Sequence, residues 1–270
     1  MEKQYMERFV RNIGIFTEEE QKCLRNSAIA VAGVGGVGGL LVERLVRLGI
    51  GTIKITDMGT FEMSNTNRQF GCSVLTDECH KTAVVSQSVR EINPEAHIIC
   101  DDHGITTSLD AEQLADGADL VIDEMDYGAW KESIYLQRAA RNRGVYYCFA
   151  GAIGFGALLT NFAPDGITLE EYNGLAAGQD LESLETIEVA PEKVLPVAPS
   201  YINTAMNSQM MGEILAGLRP IPTCSIGVGL ASILAANAAV NILLKRKDVI
   251  KAPRYIYLDL LDQQFTTGTI

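Results

Sequence analysis

No two of the six cysteines stand in a CxxC pair, so a closed zinc knuckle is not expected. Cys23, Cys72, Cys79, Cys100, Cys148 and Cys224 read as reduced thiols, most of them small apolar fillers. The three histidines, His80, His97 and His103, lack metal-ligand spacing and read as surface residues, though His80 adjoins Lys81. Positive charge is scarce too. With 22 Lys and Arg against 34 Asp and Glu, the formal net charge is -12. A nucleic-acid footprint needs a clustered basic face, and nothing here clusters Lys and Arg strongly. No apolar core follows the opening "MEKQYMERFVRN", so no secretory signal is read and a cytoplasmic location is expected. Only residues 226–244, "IGVGLASILAANAAVNILL", form an uncharged run about long enough to span a bilayer. That run is rich in Gly, Ala and Asn, so it reads as a helix buried in the core or at a subunit interface. No membrane is expected as a partner.

Hydrophobic residues make up 47% of the chain, which is enough for a sizeable core. Period and punctuation predict a lead-in helix (17–26), a strand at 28–32, a glycine turn and a helix from 40 to 48. A second strand, "GTIKITD", spans 51–57, and a helix over 81–92 stops at Asn93 because Pro94 follows. "AHIICDD", "ADLVIDE" and "VYYCFAG" are further short apolar strands, with helical patterns at 111–115 and 128–143. This alternation predicts an α/β fold: Rossmann-like, with a mostly parallel sheet covered by helices on both faces. After residue 150, "GALLTNFAPDG" reads as a strand and turn, and 168–198 as an acidic surface crossover. Helices are predicted at 201–216 and 225–245. "RYIYLDLLDQQFTTG" closes the chain as two C-terminal antiparallel strands that share the sheet.

The turn "GVGGVGG" places Gly33, Gly35, Gly36 and Gly38 between a strand and a helix, where backbone can approach a polyphosphate. Close helix–strand packing needs the same glycines. Asp57 ends the second strand, as the acid of a dinucleotide fingerprint does, so NAD and ATP fit equally well at this point. "SNTNRQF" favours a polyphosphate. Arg68 offers a planar fork of donors, and Ser64, Asn65, Asn67 and Gln69 can fix ribose or phosphate oxygens. Lys81 opens the next helix as a second positive charge. "VIDEMDYGAW" sets Asp123, Glu124 and Asp126 at the end of the fourth parallel strand. A carboxylate there can hold magnesium between phosphate oxygens, and Asp126 is the choice. Asp123 is read as bracing the loop and Glu124 as solvated.

Together, "ERFVRN", "GVGGVGG", Asp57, "SNTNRQ", Lys81, "DEMD" and "AGAIGFG" resemble the ThiF/MoeB/HesA superfamily of ubiquitin-activating-enzyme-like adenylyltransferases. The likeness runs from about residue 7 to 156 and resumes from about 225 to 265. It implies a single ThiF-type domain over 1–270, with an ATP-binding Rossmann-like part in 1–156 and the crossover, helices and closing strands in 157–270. It implies an enzyme that uses ATP and magnesium to adenylate a carboxylate, releasing pyrophosphate. By position, Asp57 would bind the ribose, Asn65, Arg68, Gln69 and Lys81 the phosphates, and Asp126 the magnesium. Arg11 matches an arginine that family members contribute across a homodimer interface. The chain departs from the pattern at Gly59, where a second acid is common, and at Tyr127, where Asn often stands. It also lacks the CxxC motifs and a clear counterpart of the crossover cysteine that forms thioester or persulfide links.

The expected substrate is the C-terminus of a ubiquitin-like carrier protein or a peptide. A second expectation is a tRNA threonylcarbamoyladenosine dehydratase, because "SNTNRQ", "GGVGG" and "CSIGVG" resemble the TcdA-type branch. Against tRNA stand the acidic crossover residues Glu170, Glu171, Asp180, Glu182, Glu185 and Glu188. A non-catalytic nucleotide-binding module and an NAD-dependent oxidoreductase rank below these, the last because it leaves "SNTNRQ" unexplained. Cys224 reads as a buried thiol at a helix start rather than a nucleophile.

Overall fold

The strands form one sheet ordered β3-β2-β1-β4-β5-β6-β7-β8. They are β1 (Ala28–Ala32), β2 (Thr52–Thr56), β3 (His97–Asp101), β4 (Leu120–Asp123), β5 (Tyr146–Ile153), β6 (Gly156–Phe162), β7 (Arg254–Asp259) and β8 (Gln264–Thr269). The first five pair in parallel and the last three antiparallel. This computed structural model describes residues 2–184, 187, 189–190, 193, 195–215 and 218–270.

Strand β1 shows why both faces are covered. Its side chains alternate: Ile29 and Val31 enter one core, while Ala30 and Ala32 enter the other. The first core holds Leu41, Val42 and Leu45 of α3 (Gly36–Leu48) and Ala231 and Ala235 of the long C-terminal helix Ser225–Leu244. The second holds Ala111 and Leu114 of a helix at Ser108–Ala115 and Ile134 and Leu136 of one at Trp130–Asn142. Burying each such Leu or Ile is worth about 1.5–3 kcal/mol. The chain order reverses between β1 and β4, so the crevice for a ligand opens at their C-terminal ends.

In chain order the helices are α1 (Glu2–Arg8), α2 (Glu18–Asn26), α3, α4 (Lys81–Ile92), α5 (Ser108–Ala115), α6 (Trp130–Asn142), α7 (Leu169–Tyr172), α8 (Tyr201–Ala205), α9 (Ser208–Leu215) and α10 (Ser225–Leu244). Helices α3, α7, α8 and α9 differ from the sequence reading, and α1 lies where that reading has no helix. Helix α3 starts at Gly36, inside the glycine run, because the run is the first turn of the helix as well as its entry loop. The helix read over 201–216 is two helices. Asn207 breaks it by accepting the Met210 N–H (2.8 Å) and so starts a new turn; Ala216 lies outside the described residues. Helix α7 lies within the stretch read as irregular, and a capping box between Thr168 and Glu171 starts it.

Among the described residues, α10 is the one helix long and apolar enough to cross a membrane. It packs in the sheet core through Gly227, Ala231, Ala235 and Ala239, while Ile226 and Ile233 face outward. A β-carbon at Gly227 would overlap the carbonyl of Gly154, so glycine lets the first turn of α10 rest on the β5–β6 turn.

Candidate active site

Two of the predicted glycines are needed for packing. Gly33 has φ +84°, and a β-carbon there would overlap the Glu124 carbonyl. A β-carbon at Gly38 would overlap the Gly33 carbonyl. These residues seat the loop on β4. Gly35 and Gly36 face the cleft instead: Gly35 lies beside the Gln69 amide, and Gly36 beside Val228 and the Arg68 stem. Gly35 caps α3 without any side-chain hydrogen bond, so the first N–H groups of a 13-residue helix point at the crevice.

The strand-end acid is part of this loop. Asp57 Oδ2 accepts from the Val34 N–H (2.8 Å), and Oδ1 accepts from the Gly59 N–H (2.7 Å). Each oxygen keeps a further lone pair. In the polar run, Asn65 is buried and closes the turn at Met63–Asn65 by accepting from the Glu62 N–H (3.3 Å). Asn67 donates to the Thr223 carbonyl (3.0 Å), tying the run to the entry of α10. Arg68 donates to Asn67 Oδ1 (2.9 Å) and the Ser64 carbonyl (3.3 Å). Gln69 Oε1 is buried without a partner among the described residues. An open groove of about 560 Å3 adjoins the run, lined by Ser64, Asn67, Arg68, Arg219 and Thr223 among others.

The three acids after β4 separate by environment. Asp123 is buried; it accepts from the Met125 N–H (2.9 Å) and the Tyr147 hydroxyl, bracing the loop as expected. Burial pushes its carboxyl up, and hydrogen bonds from Ser133, Tyr147 and Met125 pull it back. Glu124 corrects the sequence reading. It is not solvated: its Oε1 is buried and unpartnered, and burial followed by the Asp123 charge raises its pKa well above the usual range. The pleat turns it under the glycine loop, where Gly38 leaves room for its stem. Asp126 is exposed, and its carboxylate has no partner among the described residues.

Arg11 is the predicted site residue that the fold does not bring to this crevice. Its neighbour Asn12 donates to Gln21 (3.0 Å), and Gln21 donates to the Leu48 carbonyl (2.9 Å) at the far end of α3. A 13-residue helix is about 20 Å long, so Arg11 sits that far from its own glycine loop. Cys224, by contrast, is near the site: it precedes α10 and donates its S–H to the Gly154 carbonyl (3.1 Å). It is half-buried rather than buried. Sequence reasoning missed the groove residues Arg219 and Thr223, because only the return of the chain after the crossover sets them beside Arg68.

The crossover is less of an electrostatic barrier than its composition suggests. Glu170 is buried and paired with Arg138 (2.8 Å), and Glu182 pairs with Lys131 (2.8 Å) and Tyr135. Glu171 caps α7, and Asp180 accepts from the Glu182 N–H (3.1 Å). Glu185 and Glu188 lie outside the described residues.

Comparison with known proteins agrees with this arrangement. A tRNA threonylcarbamoyladenosine dehydratase of Haemophilus influenzae is 35% identical over 150 residues, 56% of this chain and 57% of that protein. The chain therefore matches little more than half the length of that relative. A ubiquitin-like modifier-activating enzyme 5 of Culex quinquefasciatus is 33% identical over 100 residues, 36% of this chain and 24% of that protein. In three dimensions the chain is similar to Escherichia coli MccB, solved with ATP, with a TM-score of 0.71 at 17% identity. That match covers 97% of this chain and 71% of MccB, and shows the shared Rossmann-like fold. The ThiF family model matches residues 9–270, and the chain belongs to the ThiF family.

Proposed function

We propose that the chain is an ATP-dependent adenylyltransferase that activates a carboxylate, working as a cytoplasmic homodimer. The observation that carries this reading is the uncapped start of α3, flanked by Arg68 and Gln69, whose Oε1 has no partner, with the Glu124–Met125 backbone that leads to Asp126 seated against Gly33. Backbone N–H groups, a guanidinium and an ammonium suit a triphosphate, and the free acceptor capacity of Asp57 suits a ribose hydroxyl. Asp126 would hold magnesium, which bound there neutralises phosphate oxygens; one exposed carboxylate beside phosphates is a usual donor set for that ion.

In the reaction, an oxygen of the substrate carboxylate attacks the α-phosphorus and the bond to the leaving pyrophosphate breaks. Asn65, Arg68, Gln69 and Lys81 hold the phosphates in line and balance the charge that builds on them. Arg11 cannot serve its own crevice from the far end of α3, which supports a composite site completed by the Arg11 of a second copy. The name of the Culex relative supports a small carrier protein or peptide as substrate.

A second reading keeps the chemistry and changes the substrate to tRNA. The names of the dehydratase relatives favour it, and the pairing of Glu170 with Arg138 and of Glu182 with Lys131 takes two of the six crossover acids out of the charge argument against RNA. ATP–pyrophosphate exchange by the purified chain separates the two. Stimulation by a small-protein fraction supports the first reading; stimulation by tRNA alone replaces it with the second. No exchange with either overturns both.

A further inference from the structure

Helix α10 has no charged residue in its 20 positions, and one of its faces is uncovered. Ile226 is 48% exposed and Ile233 52%, and Gly229 and Asn237 fall on the same face by helical spacing. Gly229 has no left-handed φ, and a β-carbon there would meet no described atom within 4 Å. A glycine inside a helix weakens it, and nothing in the described chain calls for this one.

The sheet on this side is bare as well. Ala157 of β6 lies under α10, and the register sets Leu258 and Phe265 beside it on the same face. Leu258 is half-buried and Phe265 is 66% exposed. Helix and sheet leave an open apolar corner. The two ends of α10 have different neighbours. At its start, Val228 lies beside Gly36 and the Thr223 carbonyl accepts from Asn67, so this end adjoins the crevice. Just past its other end, Arg246 donates to the Ile15 carbonyl (2.6 Å), and the Ile15 N–H donates to the carbonyl of Asn12, next to Arg11 (3.0 Å).

We propose that this corner receives α10 of a second copy, the two helices packing antiparallel about a two-fold axis at Ile233. Antiparallel packing sets the Arg11 end of each helix against the crevice end of the other. The inference therefore rests on the composite site above and names the surface that forms it. The stripe is complementary to itself, because Gly229 then faces Asn237 of the second copy and leaves room for its side chain. A partner chosen by charge finds nothing to recognise here. Two copies of a chain with net charge -12 meet with least repulsion on an uncharged surface.

Sedimentation equilibrium of the whole chain tests this without any turnover. The wild type is expected to be a dimer. Ile233→Arg, which sets two guanidiniums on the axis, is expected to weaken it about a hundredfold with an unchanged circular dichroism spectrum. Gly229→Leu, which has open space in the single chain, is expected to weaken the dimer about tenfold, and it decides the matter if Ile233→Arg does not fold. A dimer as tight in Gly229→Leu as in the wild type would overturn the inference alone, as would one that a folded Ile233→Arg leaves intact, since the copies would then meet elsewhere. A monomeric wild type would overturn the inference and the composite site together; ATP–pyrophosphate exchange by that monomer would show that the adenylation reading stands without them.

Discussion

A β-carbon on Gly38 would overlap the carbonyl oxygen of Gly33, five residues earlier in the same turn. Both atoms belong to parts of the loop that cannot yield separately, since Gly33 is itself pressed against the Glu124 backbone. Gly38→Ala is therefore expected to cost about 1–3 kcal/mol of stability and to abolish ATP binding. Thermal unfolding and calorimetry check the two effects. A variant that binds ATP normally would show that the loop can open without loss.

Asp126 has no structural partner, so its removal should leave the fold intact. Asp126→Ala is expected to slow ATP–pyrophosphate exchange by about a hundredfold, with a smaller change in ATP affinity. Unchanged exchange would remove Asp126 from the mechanism.

Arg11 and Asp126 lie at opposite ends of α3. If each active site takes Arg11 from the second copy, mixing Arg11→Ala with Asp126→Ala protomers regenerates one intact site per mixed dimer. Partial recovery of exchange is expected. Absence of recovery, with subunit exchange demonstrated, would rule out the composite site.

Arg138 holds the buried Glu170 and also donates to the Gln179 carbonyl (2.6 Å). Arg138→Ala strands that carboxylate and is expected to cost about 3 kcal/mol, reduced by the partial exposure of the guanidinium. The double variant Arg138→Met, Glu170→Gln should regain part of that loss in a denaturant titration. An Arg138→Ala variant as stable as the wild type would mean that the crossover is not held there.

Glu20 is held down to about 2 from its usual 4.5 by Arg246, with the Thr17 N–H adding to the effect. The folded pKa lies below the unfolded one, so this contact adds stability above pH 4.5 and loses it as pH falls towards 2. Glu20→Gln should therefore be less stable than the wild type at pH 7, and the gap should close through that window. A gap of constant size across it would show that the Glu20 charge is not the source.

Much of the site was legible because the signals were local. A glycine turn between a strand and a helix, an acid closing the next strand and a dense polar run are each patterns of neighbours in the chain. Their distance from one another in space follows from the parallel sheet, which brings the C-terminal ends of β1, β2 and β4 together. Glu124 was misread for the complementary reason. Its letter says solvated carboxylate, but the pleat after Asp123 turns it under the glycine loop, and no periodicity marks that. The partners of Glu182 and Glu170 were equally illegible, since Lys131 and Arg138 stand 51 and 32 residues away on α6.

By itself, the sequence determined the α/β alternation, the phosphate-type loop and the family, because these rest on short-range periodicity and on residue order. The tertiary structure alone decided which polar groups are spent on holding the fold and which stay free for a ligand. Asp123 and Glu170 are consumed by partners, while Asp126 and Lys81 are left open. A charged group's role depends on what lies within a few ångströms of it, and those neighbours come from every part of the chain.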